Sequence, residues 1–312
     1  MRSSLSKDKN KSFNLYALFI LVLLGFIWGS GYTLARYVTL QGVSPLGYAF
    51  WQSLGPAILL SVLVLLLKPQ AFLQARSCLK FYFICGLIGI AIPNTNMYFT
   101  SAHLPAGILA VIVNTVPIIT YIFALASGAE SFKWVRGLSV ILGFTGLMLL
   151  VHFQTDPHLQ QGWHWVLLAL LTPICFALCA LYVSARDPAK AQYFYMDAAG
   201  MMIFSTLLLM PVVIFNHKFY WPSSHLSLVD GAILLEVILS SIGYFLLFHL
   251  IKLAGAVYYS FVGCVVALTG LFWGWLVFSE TLTAMSALAV ALIVLALVLM
   301  TVRNGLRKPN KE

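Results

Sequence analysis

Charge is what this chain of 312 residues has least of: only 9% of its residues are Asp, Glu, Lys or Arg. An average soluble domain carries about 25%. That deficit excludes an ordinary cytosolic enzyme, a nucleic-acid binder and a disordered scaffold. Acids are scarcest, nine against eighteen Lys and Arg, and only four are glutamates. The five cysteines, Cys78, Cys85, Cys175, Cys179 and Cys264, are odd in number and mostly sit in apolar runs, so they imply no disulfide framework. Also lacking are His-Glu-x-x-His, Gly-x-Ser-x-Gly, a phosphate-cradling Gly-rich loop and an acid cluster for metal. Those absences argue against a lipid-acting membrane enzyme and against an ATP-driven pump in this chain, and no cofactor or metal is expected.

Apolar residues fill the gap, at 61% of the chain, with a mean hydropathy of +0.95. A bilayer core of about 30 Å takes about 20 mostly apolar residues as helix, because hydrocarbon cannot satisfy exposed backbone groups. Windows of that size predict an all-α integral membrane protein with ten transmembrane helices. They run over Leu15–Val38, Leu46–Leu67, Phe81–Thr100, Ala106–Ala126, Val135–Val151, Val166–Val183, Asp197–Phe215, Gly231–Ile251, Val257–Phe278 and Thr283–Val302. The connections are short and rich in turn formers, leaving no room for a soluble domain.

The basic residues test that count. With a cytoplasmic N-terminus, ten spans place sixteen Lys and Arg inside and only Arg36 and Lys218 outside. This is a strong positive-inside bias, so both termini are expected in the cytoplasm. The apolar run after the basic N-terminal segment is too long for a signal peptide and reads as a retained first span.

The chain also resembles itself. At a shift of 150, residues 101–150 and 251–300 share eight identities, including Glu130/Glu280. Composition alone would give about four or five. The expected organisation is two five-helix repeats, 1–154 and 155–312, joined near Asp156–Gly162. An odd number of spans per repeat inverts the second copy, the construction by which several secondary transporters build two gates around a midplane site. A symmetric membrane scaffold without transport is the competing reading.

Three stretches resemble a known family. Phe26-Ile-Trp-Gly-Ser-Gly-Tyr is similar to the opening of EamA-type proteins in the drug/metabolite transporter superfamily. His103-Leu-Pro-Ala-Gly, then Pro117 and Glu130, resembles that family's fourth span. Leu253-Ala-Gly-Ala-Val, then Trp273-Gly-Trp-Leu and Ser279-Glu280, resembles its ninth. The resemblance implies a bacterial inner-membrane exporter or importer of small metabolites, often amino acids or related amphipathic compounds, with export the expected direction here. Two positions depart from it. Gln52 stands where the family has arginine in the second span, which removes a cationic partner for an anionic substrate. Ala267 replaces a proline in the ninth.

Polar groups inside spans should face the bundle or a water-filled path. Glu236 is the one acid placed well inside a span, roughly 8 Å deep at 1.5 Å rise per residue. It shares a face with Ser240 and Tyr244, and it is a candidate proton carrier or cation ligand. Asn94 and Tyr98 share a face behind Pro93, and Asn114 precedes Pro117 by a turn. Prolines beside amides mark interrupted helices at transporter sites, although helix–helix hydrogen bonds use the same groups. Trp28 and Tyr32 can stack on an apolar or cationic substrate, or simply pack. Tyr182 shares a stripe with Cys175 and Cys179, without the His partners a zinc site would want.

These residues, Trp28, Tyr32, Asn94, Tyr98, Asn114, Tyr182, Glu236 and Tyr244, are the expected border of a substrate path. Glu130 and Glu280 precede the fifth and tenth helices, where a carboxylate complements the N-terminal dipole. Gly25, Gly29, Gly270 and Gly274 suit close helix packing or a homodimer contact. The expected partners are a small-molecule substrate and membrane lipid. A small-ion channel would want a ring of charges, which one glutamate does not make.

Overall fold

In the computed structural model, residues 2–72, 76–128, 130–153, 162–184, 194–222, 227–254 and 262–302 are described, and among them there is no strand. Ten helices follow in order. They are α1 (Arg2–Leu40), α2 (Pro45–Leu67), α3 (Arg76–Ser101), α4 (Ala106–Ala126), α5 (Trp134–Phe153), α6 (Trp163–Val183), α7 (Phe194–Phe215), α8 (Leu228–Ala254), α9 (Val262–Phe278) and α10 (Ala284–Val302). Each predicted span overlaps one of them. Seven are long and apolar enough to cross a bilayer, while α5, α9 and α10 offer shorter described apolar stretches. The chain is an all-α membrane protein. The expected repeat junction near Asp156–Gly162 lies, up to the first turn of α6, outside the described residues.

Local chemistry explains where the helices start, stop and bend. Pro45 opens α2, where its missing N–H costs nothing. Gly42, in the turn before it, has φ +87°, a conformation that a β-carbon disfavours. In α3 the backbone runs as α-helix over Leu79–Gly86, widens to a π turn over Leu87–Ala91 and resumes over Ile92–Ser101. The wide turn accommodates Pro93, whose ring cannot donate and would clash with the carbonyl four residues back.

Helix α4 is broken by the same residue type. Its halves, Ala106–Val113 and Val116–Ala126, meet at Asn114 and Thr115, just before Pro117. There Asn114 Nδ2 donates to the Ala110 carbonyl at 2.7 Å and Thr115 Oγ1 to that of Ile112 at 2.7 Å, so side chains reinforce the backbone bonds that the same carbonyls accept at the break.

Helix α1 packs on α8 and α9, and α6 packs on α3 and α4; α2 meets α7 and α8, α3 meets α7, α4 meets α9, and α5 meets α10. Small residues set the closest approaches. A β-carbon on Gly29 would collide with Thr269 and lie 3.0 Å from the Gly270 nitrogen, and Thr269 Oγ1 donates to the Gly25 carbonyl at 2.7 Å. This is the close packing expected of small residues in membrane helices. The largest buried cluster fills the centre with α4 residues such as Leu109 and Ile112, beside Leu24 of α1 and Ile293 of α10. Large apolar side chains such as Phe19, Leu66, Ile141, Met148 and Leu207 point outward, as a lipid-facing surface requires.

Candidate functional site

The polar centre forms where α8 crosses α1 and α2. Glu236 of α8 is 8% exposed. Its Oε1 accepts from Ser240 Oγ at 3.0 Å, one turn along the same helix, whereas Oε2 is buried without a hydrogen-bond partner. The carboxyl group fits because Gly31 of α1 has no side chain; a β-carbon there would stand 2.8 Å from Oε1. From α2, Gln52, 3% exposed, donates through Nε2 to the Ile233 carbonyl at 3.3 Å. Its Oε1 is left without a partner as well. Ile233 precedes Glu236 by three residues, so the glutamine lies against the same turn of α8 as the carboxylate.

Tyrosines surround this pair. Tyr32, Tyr48 and Tyr98 are all within electrostatic reach of Glu236. The rings of Tyr48 and Tyr98 meet edge to face at 4.6 Å, and the Tyr48 hydroxyl is buried without a partner. Tyr32 accepts from Asn114 Nδ2 at 3.3 Å, joining α1 to the break in α4. Trp28 and Tyr244 meet edge to face at 6.0 Å, and the indole nitrogen of Trp28 abuts Gly243.

The structure thus gathers Tyr32, Tyr98, Asn114 and Glu236, with Trp28 paired to Tyr244. Asn94 is half-buried on α3, one turn from Tyr98. Tyr182 lies elsewhere, stacked on Phe81 at 5.9 Å. Phe81 is thirteen residues before Asn94, about 20 Å along α3. Pro117 sits just after the α4 break, as expected. Gln52 joins the site from the position where it departs from the family's arginine, and Tyr48, a turn before it on α2, carried no distinguishing signal among so many aromatic residues. Asn96 is structural: its Nδ2 donates to the Leu168 carbonyl at 2.8 Å and to Thr172 Oγ1 at 3.0 Å, tying α3 to α6.

A second polar cluster closes one end of the bundle. Glu280 accepts from the backbone nitrogens of Ala106 at 2.8 Å and Gly107 at 3.2 Å. Arg36 of α1 approaches it at 3.5 Å, donates to the Leu104 carbonyl and lies over the Phe278 ring. Glu280 therefore caps α4, not the α10 it precedes in sequence. Helix α10 has its own cap, Thr283, whose Oγ1 accepts from the Ser286 nitrogen at 3.2 Å. Glu130 pairs with Arg136 on the first turn of α5. Near Arg36, His103 stacks on Trp165 at 3.7 Å. Its imidazole pKa is lowered by burial and then by the Arg36 charge.

Residues 15–152 match the EamA-like transporter family. These residues, slightly under half of the chain, are similar to EamA-type transporters. Over 296 residues the chain is 29% identical to "Uncharacterized inner membrane transporter YedA" of Escherichia coli (strain K12), covering 92% of this chain and 89% of that protein. It is 25% identical over 191 residues to "Uncharacterized transporter YvbV" of Bacillus subtilis (strain 168), covering 61% of this chain and 60% of that one. A crystal structure of a protein 16% identical in sequence has the same fold at a TM-score of 0.58, over 92% of this chain and 98% of its own. The family match takes in the first and fourth helix motifs, while the motif around Trp273 and Glu280 lies beyond it.

Proposed function

We propose that this protein is an EamA-type secondary transporter that exports a small metabolite, an amino acid or related amphipathic compound, across the bacterial inner membrane by alternating access. In this reading ten spans form two inverted five-helix halves, residues 1–154 and 155–312, with both termini in the cytoplasm. The path is bordered by Trp28, Tyr32, Asn94, Tyr98, Asn114, Glu236 and Tyr244, with Tyr182 at its cytoplasmic mouth, and Glu236 couples flux to protons.

The observation that carries the reading is a carboxylate buried among tyrosines, with one oxygen left open, at the crossing of α1, α2 and α8. Ionisable groups inside a membrane are expensive, and they mark ion and substrate pathways. Two features support the inverted halves. If each helix is exchanged with the one five places on, the most extensive packing pairs map onto each other: α1 with α8 and α9 becomes α6 with α3 and α4, while α2–α7, α4–α9 and α5–α10 map onto themselves. The backbone also turns alike at the two glutamates, Glu130 N donating to Ala124 O at 3.1 Å and Glu280 N to Gly274 O at 3.3 Å. The inner membrane is supported by the Escherichia coli relative.

The test is uptake and counterflow of labelled metabolites in proteoliposomes under an imposed pH gradient. Glu236→Gln should abolish gradient-driven flux while the protein stays folded. Flux with full gradient dependence in that variant would refute the coupling role, and non-saturating flux without counterflow would indicate a channel.

A further inference from the structure

We propose that the Glu236 site takes an organic ammonium ion that bears no carboxylate, a primary amine with an aromatic or apolar tail. The inference rests on the transport reading above and narrows its substrate from amino acids to amines.

The argument is an inventory of donors and acceptors. Two buried acceptors are open, Glu236 Oε2 and Gln52 Oε1, and they belong to one turn of the α2–α8 seam. The neighbouring amide nitrogens of Gln52 and Asn114 are already engaged, while the two acceptors are not. Gln52 Nε2 is bound to the Ile233 carbonyl, and Asn114 Nδ2 is shared between Tyr32 and the Ala110 carbonyl. The pocket therefore offers acceptors and asks for donors, which a primary ammonium group supplies threefold. The Tyr48 hydroxyl, also unpartnered, accepts as readily as it donates.

Charge points the same way. A buried carboxylate without a cationic partner is costly, and a cationic ligand removes that cost. Among the described residues, the cations drawn into the protein are committed elsewhere, Arg36 to Glu280 and Arg136 to Glu130. A carboxylate on the ligand would enter a pocket already holding one and, among the described residues, find no cation to meet it. The walls suit an organic ion rather than a bare metal ion, because the Tyr48–Tyr98 and Trp28–Tyr244 pairs present aromatic faces and edges to a cation and its tail.

The experiment uses the full chain purified in detergent micelles and reads binding by tryptophan fluorescence and by thermal unfolding at constant ionic strength. The probes are phenethylamine, phenylalanine, 2-phenylethanol and sodium chloride. Phenethylamine should give a saturable response and raise the melting temperature, and the other three should not. Glu236→Gln should weaken it by about tenfold or more and Gln52→Met by a smaller factor, as expected for lost charge-assisted and neutral hydrogen bonds. Glu236→Asp, which keeps the charge, should recover part of the affinity and so exclude simple misfolding.

Phenylalanine binding as tightly as the amine would overturn the inference, as would sodium alone giving the same response, undiminished amine binding by Glu236→Gln, or no response to phenethylamine. If pH-driven uptake of phenylalanine is observed and needs Glu236, the transport reading stands and the amine assignment falls. If amine binding needs Glu236 but gradient-driven flux does not, the assignment stands and the coupling role falls.

Discussion

Removing the Glu280 carboxylate should loosen one end of the bundle by an amount the geometry allows to be worked out. Its two oxygens accept from the Ala106 and Gly107 nitrogens at 2.8 and 3.2 Å, and Arg36 stands 3.5 Å away. The pair is largely withdrawn from solvent, with side chains 20% and 15% exposed. The first nitrogens of a helix have no partners within it, so deletion orphans two donors of α4 and removes the guanidinium's counter-charge. Glu280→Ala should therefore cost about 3–5 kcal/mol, the range for breaking a buried charged pair. Glu280→Gln keeps an acceptor but not the charge, and should cost about 1–2 kcal/mol. Arg36→Met should cost less than the alanine variant, because the α4 cap survives it. In the double variant the two losses should fall short of additivity by about 1–3 kcal/mol, as for residues in one network. Chemical unfolding in micelles, followed by helical circular dichroism, measures all four species, and hydrogen exchange at Ala106 and Gly107 localises the effect. If Glu280→Ala and Glu280→Gln both fell within about 0.5 kcal/mol of the parent, like neutral surface changes, the capping argument would be refuted.

Two further changes probe the neighbouring groups. Gly31→Ala places a carbon 2.8 Å from Glu236 Oε1 and so crowds it; since the carboxyl group ends a flexible chain, thermal stability should change little, while gradient-driven flux should fall by about tenfold through lost hydrogen-bond geometry, and unchanged flux would show that the carboxylate position is immaterial. His103, with its pKa lowered by burial and by Arg36, favours the neutral form in the fold; its stabilisation is complete above the ordinary value of 6.5 and declines as the pH drops below it towards the lower folded value, so melting temperatures measured from pH 7.5 to 5 should fall less steeply in His103→Gln than in the parent.

The helices were legible because membrane burial needs long uninterrupted apolar runs, and those runs are the sequence itself. Their internal breaks were legible only as prolines. Pro93 and Pro117 announced irregular backbone, but not that one would produce a π turn and the other a split helix. Capping was less visible. Glu280 precedes α10, yet the chain reverses there, with Ser279 at φ +53°, and carries the carboxylate to α4. Proximity in space, which sequence order does not encode, decided which helix it serves. The cap on α8 did have a signature, Ser227 followed three residues later by Asp230, and the structure pairs them: Ser227 N donates to Asp230 Oδ2 at 2.8 Å and Asp230 N to Ser227 Oγ at 3.1 Å. Glu236 was identifiable because a lone deep acid needs a reason to be there. Gln52 was noticed only for the arginine it replaces, since the open oxygen that matters depends on where Nε2 is spent.

The two polar clusters are not independent, because the same two helices carry both. On α1, Tyr32 and Arg36 are one turn apart, about 6 Å along the axis. Tyr32 meets α4 at its break through Asn114, and Arg36 meets the start of α4 through Leu104 and Glu280. The eight residues Ala106–Val113, a short and almost wholly buried helix, are therefore tied to α1 at both ends. A helix so short has little stability of its own, so its position is set by these end contacts and by the close approach of α9, where Gly107 leaves room for Leu271. Withdrawing α1 from the start of α4 would break the Arg36 contacts and pull on the Tyr32–Asn114 bond together. The Glu280 end of the bundle and the polar centre must then respond as a unit, and a substitution at Arg36 should be felt at Asn114 although the two side chains do not meet.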